Sequence, residues 1–130
     1  MANMKNAGPR PIFLDLLQIR LPRGAILSIV HRITGVLLVL AIPFFIYLLQ
    51  LLNGGAEGFS QALSLLHSTS GKVFVSITAW VLIQHSLSGI RHLIMDMGVS
   101  YDKNIARMTA NAAFVLSLLL IILTGVWIWL

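Results

Sequence analysis

The distribution of apolar residues along the chain indicates how it folds. Residues 33–52, 73–90 and 108–130 form apolar runs that contain no charged side chain. Each run is close to the roughly 20 residues that an α-helix needs to cross the hydrocarbon core of a bilayer. The pattern predicts an all-α membrane protein with three transmembrane helices, at about residues 24–52, 72–95 and 106–130, within one transmembrane domain over residues 1–130.

The segments outside these runs have patterns of their own. Residues 1–23 contain three prolines among apolar residues, which favours a segment lying on the membrane surface or on a partner protein. After the first run, Phe59, Ala62, Leu63 and Leu66 recur at helical spacing. This spacing predicts a short interfacial helix that ends at His67.

Composition supports a membrane protein and limits its chemistry. The chain is 58% hydrophobic and only 10% charged, with a mean hydropathy of +0.91, which is far more apolar than an ordinary soluble domain. It contains no cysteine. Disulfides, thiolate metal sites and covalent attachment of a c-type haem are therefore excluded, and any metal must be held by histidine or carboxylate.

The basic residues report the orientation in the membrane. The net charge is +5, but the Lys and Arg residues lie mainly before the first run and between the second and third, whereas only Lys72 lies between the first and second. By the positive-inside rule, the N-terminus is cytoplasmic and the C-terminus is outside. We therefore expect a lipid membrane as the partner of this basic chain, and no nucleic acid.

The first polar motif lies where the chain enters the first span. On a helix, Ser28, His31, Arg32 and Gly35 share one face, because they are related by steps of three and four residues. Position alone leaves two interpretations open. Arg32 could be an interfacial anchor with His31 beside it, or the face could be a functional site.

The second polar motif lies within the second span. His85, Gly89, His92 and Asp96 again share one helical face. A neutral histidine nitrogen is a usual ligand of haem iron, and Gly89 would leave bare backbone beside a flat macrocycle at His85. His31 could supply a second axial ligand, but we expect it nearer the membrane edge than His85, so a histidine from a partner subunit is the better candidate.

The two motifs are expected to meet. Because the first and second spans are antiparallel, both motifs lie at the cytoplasmic boundary, with His85 slightly deeper. A cluster of hydroxyl, imidazole, guanidinium and carboxylate groups at the edge of the bilayer suits an apolar redox carrier with polar carbonyls. It suits the carboxylates of a haem equally well.

Together the two motifs resemble a known family. S-I-x-H-R-x-T-G at residues 28–35 and H-x-x-x-G-I-R-H-L-x-x-D-x-G at residues 85–98 are similar to the cytochrome b membrane-anchor subunit of succinate dehydrogenase, respiratory complex II. The similarity covers most of the chain, and the pair of motifs is highly specific. One departure is Met95, where many relatives carry an aromatic residue.

The resemblance implies a set of partners and roles. In that family, two small membrane subunits hold one haem b between them and anchor an iron-sulfur subunit and a flavoprotein subunit, and electrons from succinate reach a quinone at the membrane edge. By matching positions, His85 would be the axial haem ligand, and Ser28 and Arg32 would line the quinone pocket. His31 and Arg32 would lie by the haem propionates, with His92 and Asp96 in support. The expected location is a bacterial inner membrane, with a mitochondrial inner membrane as the less favoured alternative.

Two other functions stay open. A haem-free anchor could bind quinone or merely hold the soluble subunits. A small transporter could use His85, His92 and Asp96 as a proton or ion path, although three spans show no inverted repeat and the polar residues cluster at one end.

Overall fold

The computed structural model describes residues 21–98 and 102–130, and these residues form four α-helices. They are α1 (Arg23–Leu52), α2 (Gly55–His67), α3 (Thr69–Asp96) and α4 (Lys103–Trp129). Three of them, α1, α3 and α4, are long and apolar enough to cross a membrane. The prediction of an all-α protein with three spans is confirmed, while the orientation in the membrane stays a prediction. The segment predicted at residues 1–23 lies outside the described residues as far as residue 20.

Helix boundaries follow from local capping. Pro22 precedes α1, where its missing N–H costs nothing. The Ser68 hydroxyl accepts a hydrogen bond from the Gly71 amide at 3.0 Å and so caps α3. Asp102 caps α4 by accepting from the amide of Asn104 at 2.6 Å. The short predicted helix is present as α2 and ends at His67, as expected.

A small apolar core lies between α1 and α4. Leu27 of α1 is fully buried against Ala110 and Ala113 of α4, with Phe114 packed beside them. Most other large apolar side chains are exposed on the outside of the helices, and Trp127 is an extreme case at 83% exposure. An apolar exterior of this kind is what a lipid environment requires.

The two ends of the bundle differ in composition. We call the end formed by the start of α1, the end of α3 and the start of α4 the histidine end. A cavity of about 830 Å³ opens there, lined by Arg23, Arg91, His92, Asp96 and Lys103 among others. We call the opposite end, where α2 packs against α1 and α3, the α2 end. Most charged side chains of the described residues therefore lie at one end of the spans.

Candidate functional site

Three imidazoles from two helices meet near the histidine end. The rings of His31 in α1 and His85 in α3 are stacked, with centroids 4.1 Å apart and planes 13° from parallel. His92, two turns further along α3, tilts against His31 with a centroid separation of 5.3 Å. The structure therefore brings together the histidines of both sequence motifs. Although we expected His31 to lie nearer the membrane edge than His85, the rings of the two residues are in contact.

Hydrogen bonding fixes the tautomer of His85. Its Nδ1 lies 3.1 Å from the carbonyl oxygen of His31 and 3.2 Å from the hydroxyl of Thr34. Because a carbonyl oxygen can only accept, Nδ1 carries the proton and donates a hydrogen bond to that carbonyl. In the neutral imidazole with this tautomer, Nε2 has a lone pair, which is the form that binds a metal.

Two glycines make room for these rings. A Cβ atom added at Gly35 would lie 3.1 Å from Cε1 of His85, and one added at Gly89 would lie 3.2 Å from Nε2 of His31. The sequence analysis associated Gly89 with His85, its neighbour along the same helix. In the structure, Gly89 instead faces His31, and the glycine facing His85 is Gly35 of the other helix.

His92 and Asp96 lie at the border of the site. Nδ1 of His92 is 2.7 Å from the carbonyl oxygen of Ser88, so it donates a hydrogen bond within α3. The Asp96 side chain is exposed, and both residues line the cavity at the histidine end. His92 thus borders both the imidazole stack and the cavity, and Asp96 borders the cavity.

Ser28 and Arg32 lie on α1 within one turn of His31. Ser28 is half-buried and Arg32 is exposed. Within the part of the chain that the structure describes, neither side chain contributes to a hydrogen bond. The guanidinium is therefore presented on the outer surface of the bundle, beside the imidazole stack, where a molecule outside this chain could reach it.

Sequence reasoning counted Arg91 among the charges that set the topology and among the polar groups at the membrane edge, but it missed the structural role of this residue. Arg91 is 7% exposed. Its Nη2 donates to the carbonyl oxygen of Ala106 at 2.9 Å and its Nε to the hydroxyl of Thr109 at 3.3 Å, both in α4. The available signal was the polar stripe formed with Gln84 and Ser88, which are also buried and joined by a hydrogen bond of 3.0 Å.

These features define a small multi-pass membrane protein with a histidine cluster at one end of its spans. Comparison with known proteins identifies the family. The sequence model of the succinate dehydrogenase/fumarate reductase transmembrane subunit matches residues 6–124. The chain belongs to this family, and the resemblance drawn from the two motifs is confirmed.

Individual relatives agree with the family. The chain is 39% identical over 124 residues to the succinate dehydrogenase cytochrome b556 subunit of Coxiella burnetii, covering 92% of this chain and 97% of the relative. It is 34% identical to the subunit of the same name from Paracoccus denitrificans, covering 92% of each chain. The succinate dehydrogenase cytochrome b560 subunit of Reclinomonas americana is 36% identical, covering 72% of this chain and 68% of the relative. The chain is thus similar over nearly its full length to cytochrome b subunits of succinate dehydrogenase.

Proposed function

We propose that this chain is a membrane-anchor subunit of a succinate:quinone oxidoreductase, that it shares a haem b with a second small membrane subunit, and that it forms part of the quinone-reduction site. Its other partners are an iron-sulfur subunit and a flavoprotein subunit, which carry out succinate oxidation away from this chain. The names of the relatives support the assignment to succinate dehydrogenase. The bacterial sources of two of them favour the bacterial inner membrane as its location.

The observation that carries the haem proposal is the hydrogen bond from Nδ1 of His85 to the carbonyl oxygen of His31. It holds the imidazole in the tautomer that leaves Nε2 available for iron. The haem supplies a one-electron centre when it is bound. In this proposal His85 would hold the haem iron as an axial ligand, and the backbone carbonyl of His31 would orient its ring.

The stacking of His31 on His85 bears on the second axial ligand. Two axial imidazoles approach one iron from opposite faces of the macrocycle. The rings of His31 and His85 are stacked face to face with centroids 4.1 Å apart, so a macrocycle could not fit between them. This arrangement supports a second ligand from the partner subunit, which would leave His31 for the haem edge.

The remaining polar groups suit the anionic edge of a haem. The Arg32 guanidinium can form paired, charge-assisted hydrogen bonds with a propionate, and His31 is its neighbour in the chain. His92 and Asp96 play a supporting part at the mouth of the cavity, where His92 tilts against His31.

Ser28 and Arg32 also line the quinone pocket in this proposal. A quinone gains negative charge on its carbonyl oxygens as electrons arrive, and donors fixed in advance around such an oxygen stabilise that charge. The Ser28 hydroxyl and the Arg32 guanidinium, one helical turn apart on α1, are donors of this kind. The remaining walls of the pocket belong to partner subunits.

The haem assignment is tested by replacing His85. We expect His85→Leu to abolish or strongly perturb the low-spin cytochrome b signal of the purified complex, because an axial ligand is lost. His67→Leu, at the α2 end, is the matched control and should leave the spectrum unchanged. A normal spectrum after His85→Leu would rule out this ligand, and a native complex with no cytochrome b signal would favour the haem-free anchor.

The quinone assignment is tested on membranes. Ser28→Ala and Arg32→Leu should each slow succinate-quinone reductase activity about tenfold or more, since a hydrogen bond to a charged group contributes about 1.5–3 kcal/mol. Ser86→Ala, an exposed serine of α3, is the matched control. Succinate oxidation by a dye that takes electrons before the quinone should survive in all three variants. A parallel fall in both activities would indicate a role in assembly instead.

A further inference from the structure

The two histidine motifs contain the same local pattern in opposite directions. His31 is followed four residues later by Gly35, and His85 is followed four residues later by Gly89. On a helix, residues four apart lie on the same face. Because α1 and α3 are antiparallel neighbours, the histidine of each helix can face the glycine of the other.

The structure contains this reciprocal contact. The ring of His85 lies against Gly35, and the ring of His31 lies against Gly89. At 3.1 and 3.2 Å, the added Cβ atoms would be closer to the rings than ordinary van der Waals contact allows. A methyl group at either glycine would therefore displace the facing imidazole by a few tenths of an ångström.

We propose that Gly35 and Gly89 are positioning residues, each of which sets the place of the imidazole contributed by the opposite helix. Gly35 sets His85, and Gly89 sets His31. This inference rests on the proposed function for its consequences: Gly35 then acts on the haem through His85, and Gly89 acts through His31 on the adjacent Arg32, which lines the quinone pocket in that proposal.

The contact also explains why glycine, and not alanine, suits these two helix interiors. Glycine in a helix is less favourable than alanine when nothing else intervenes. At Gly35 and Gly89, the space that glycine leaves is filled by an aromatic ring from the neighbouring helix. Gly125 of α4 is different, since an added Cβ there meets nothing within 4 Å.

This difference provides matched variants with the same chemical change. Gly35→Ala, Gly89→Ala and Gly125→Ala each add one methyl group within a long helix, and only the first two displace a ring. The readouts on the assembled complex are the low-spin haem signal in electron paramagnetic resonance and the KM for quinone. Dye-linked succinate oxidation by the same membranes measures how much complex is assembled.

We expect the haem signal and the KM for quinone to rank the two glycine variants in opposite order. Gly35→Ala should shift the haem signal more than Gly89→Ala does, and Gly89→Ala should change the KM for quinone more than Gly35→Ala does. A change of roughly two- to tenfold in KM corresponds to the free-energy cost of a side chain forced off its preferred rotamer. Gly125→Ala should change neither readout. The proposal is overturned if Gly35→Ala and Gly89→Ala behave like Gly125→Ala, or if both readouts rank them in the same order.

If a glycine variant fails to assemble, the contact is tested by also removing the histidine that faces the glycine. In a His85→Ala background, Gly35→Ala no longer meets a ring and should lower the amount of assembled complex no more than Gly125→Ala does. The same holds for Gly89→Ala in a His31→Ala background. A glycine defect that persists without its facing histidine would refute the contact. A normal haem signal in His85→Leu would refute the haem ligand alone, because the contact test compares glycine variants within the same histidine background.

Discussion

The two ends of the bundle are held together by different kinds of contact. At the histidine end, side chains join the helices: Arg91 bridges α3 to α4, and Arg23 donates to the amide oxygen of Asn111. At the α2 end, Trp129 and Ser76 also join α4 to α3 through side chains, but α2 meets its neighbours through backbone, because Gly58 lies against the carbonyl of Leu51 and Gly71 against that of Leu65. Side-chain contacts tolerate small rearrangements, whereas backbone contacts do not. The candidate site lies at the end where side chains of α3 and α1 hold α4.

The largest expected effect is at the α2 end. An alanine at Gly58 or Gly71 would place its Cβ in overlap with a backbone carbonyl, which cannot rotate away as a side chain can. We expect Gly58→Ala and Gly71→Ala each to destabilise the protein by about 3 kcal/mol or more, the upper range for overpacking. Thermal unfolding of the purified complex measures this. Equal melting temperatures for these variants and Gly125→Ala would show that the backbone approach is not tight.

The next largest loss of stability is expected at the histidine end. Arg91→Leu removes both hydrogen bonds to α4 from a buried guanidinium, and hydrogen bonds to charged groups contribute about 1.5–3 kcal/mol. We expect a lower melting temperature of the complex, with Arg91→Lys intermediate because lysine keeps the charge but loses the planar fork. Thr109→Val separates the two bonds, since it removes only the acceptor of Nε. A Leu variant as stable as the parent would mean that the bridge contributes nothing to stability.

The smallest loss of stability is expected at the α2 end. Nε1 of Trp129 donates to the Ser76 hydroxyl at 3.1 Å, and Nζ of Lys72 lies 5.7 Å from the centroid of the same ring. Trp129→Phe loses the hydrogen bond and should cost about 1 kcal/mol at most. Trp127→Phe, at a position that is 83% exposed, is the control. If both substitutions lower the melting temperature equally, the indole acts through the membrane interface and not through Ser76.

Much of the fold could be predicted from the sequence. Uncharged apolar runs mark α1, α3 and α4, because a bilayer imposes one length and one polarity on whatever crosses it. The apolar spacing of Phe59, Ala62, Leu63 and Leu66 also found α2. Helical periodicity and antiparallel order were then enough to expect that His31 and His85 approach each other.

Details of the site could not be predicted in the same way. Periodicity relates residues along one helix, so it associated Gly89 with His85 and could not say that His31 is the ring that Gly89 faces. It also could not distinguish Arg91 as a buried bridge from an exposed interfacial cation. Both answers depend on how neighbouring helices are rotated about their axes, and side-chain packing between helices sets that rotation.

The sequence by itself determined the membrane class, the number of spans, the end at which the polar motifs gather and the family. These properties follow from hydropathy, charge distribution and residue spacing, which are features of one segment at a time. Only the tertiary structure decided that His31 and His85 stack, that His85 donates Nδ1–H to a carbonyl of the other helix, and that each ring rests on a glycine. Those contacts join atoms from two helices that are distant in sequence, and they exist only after the helices have packed.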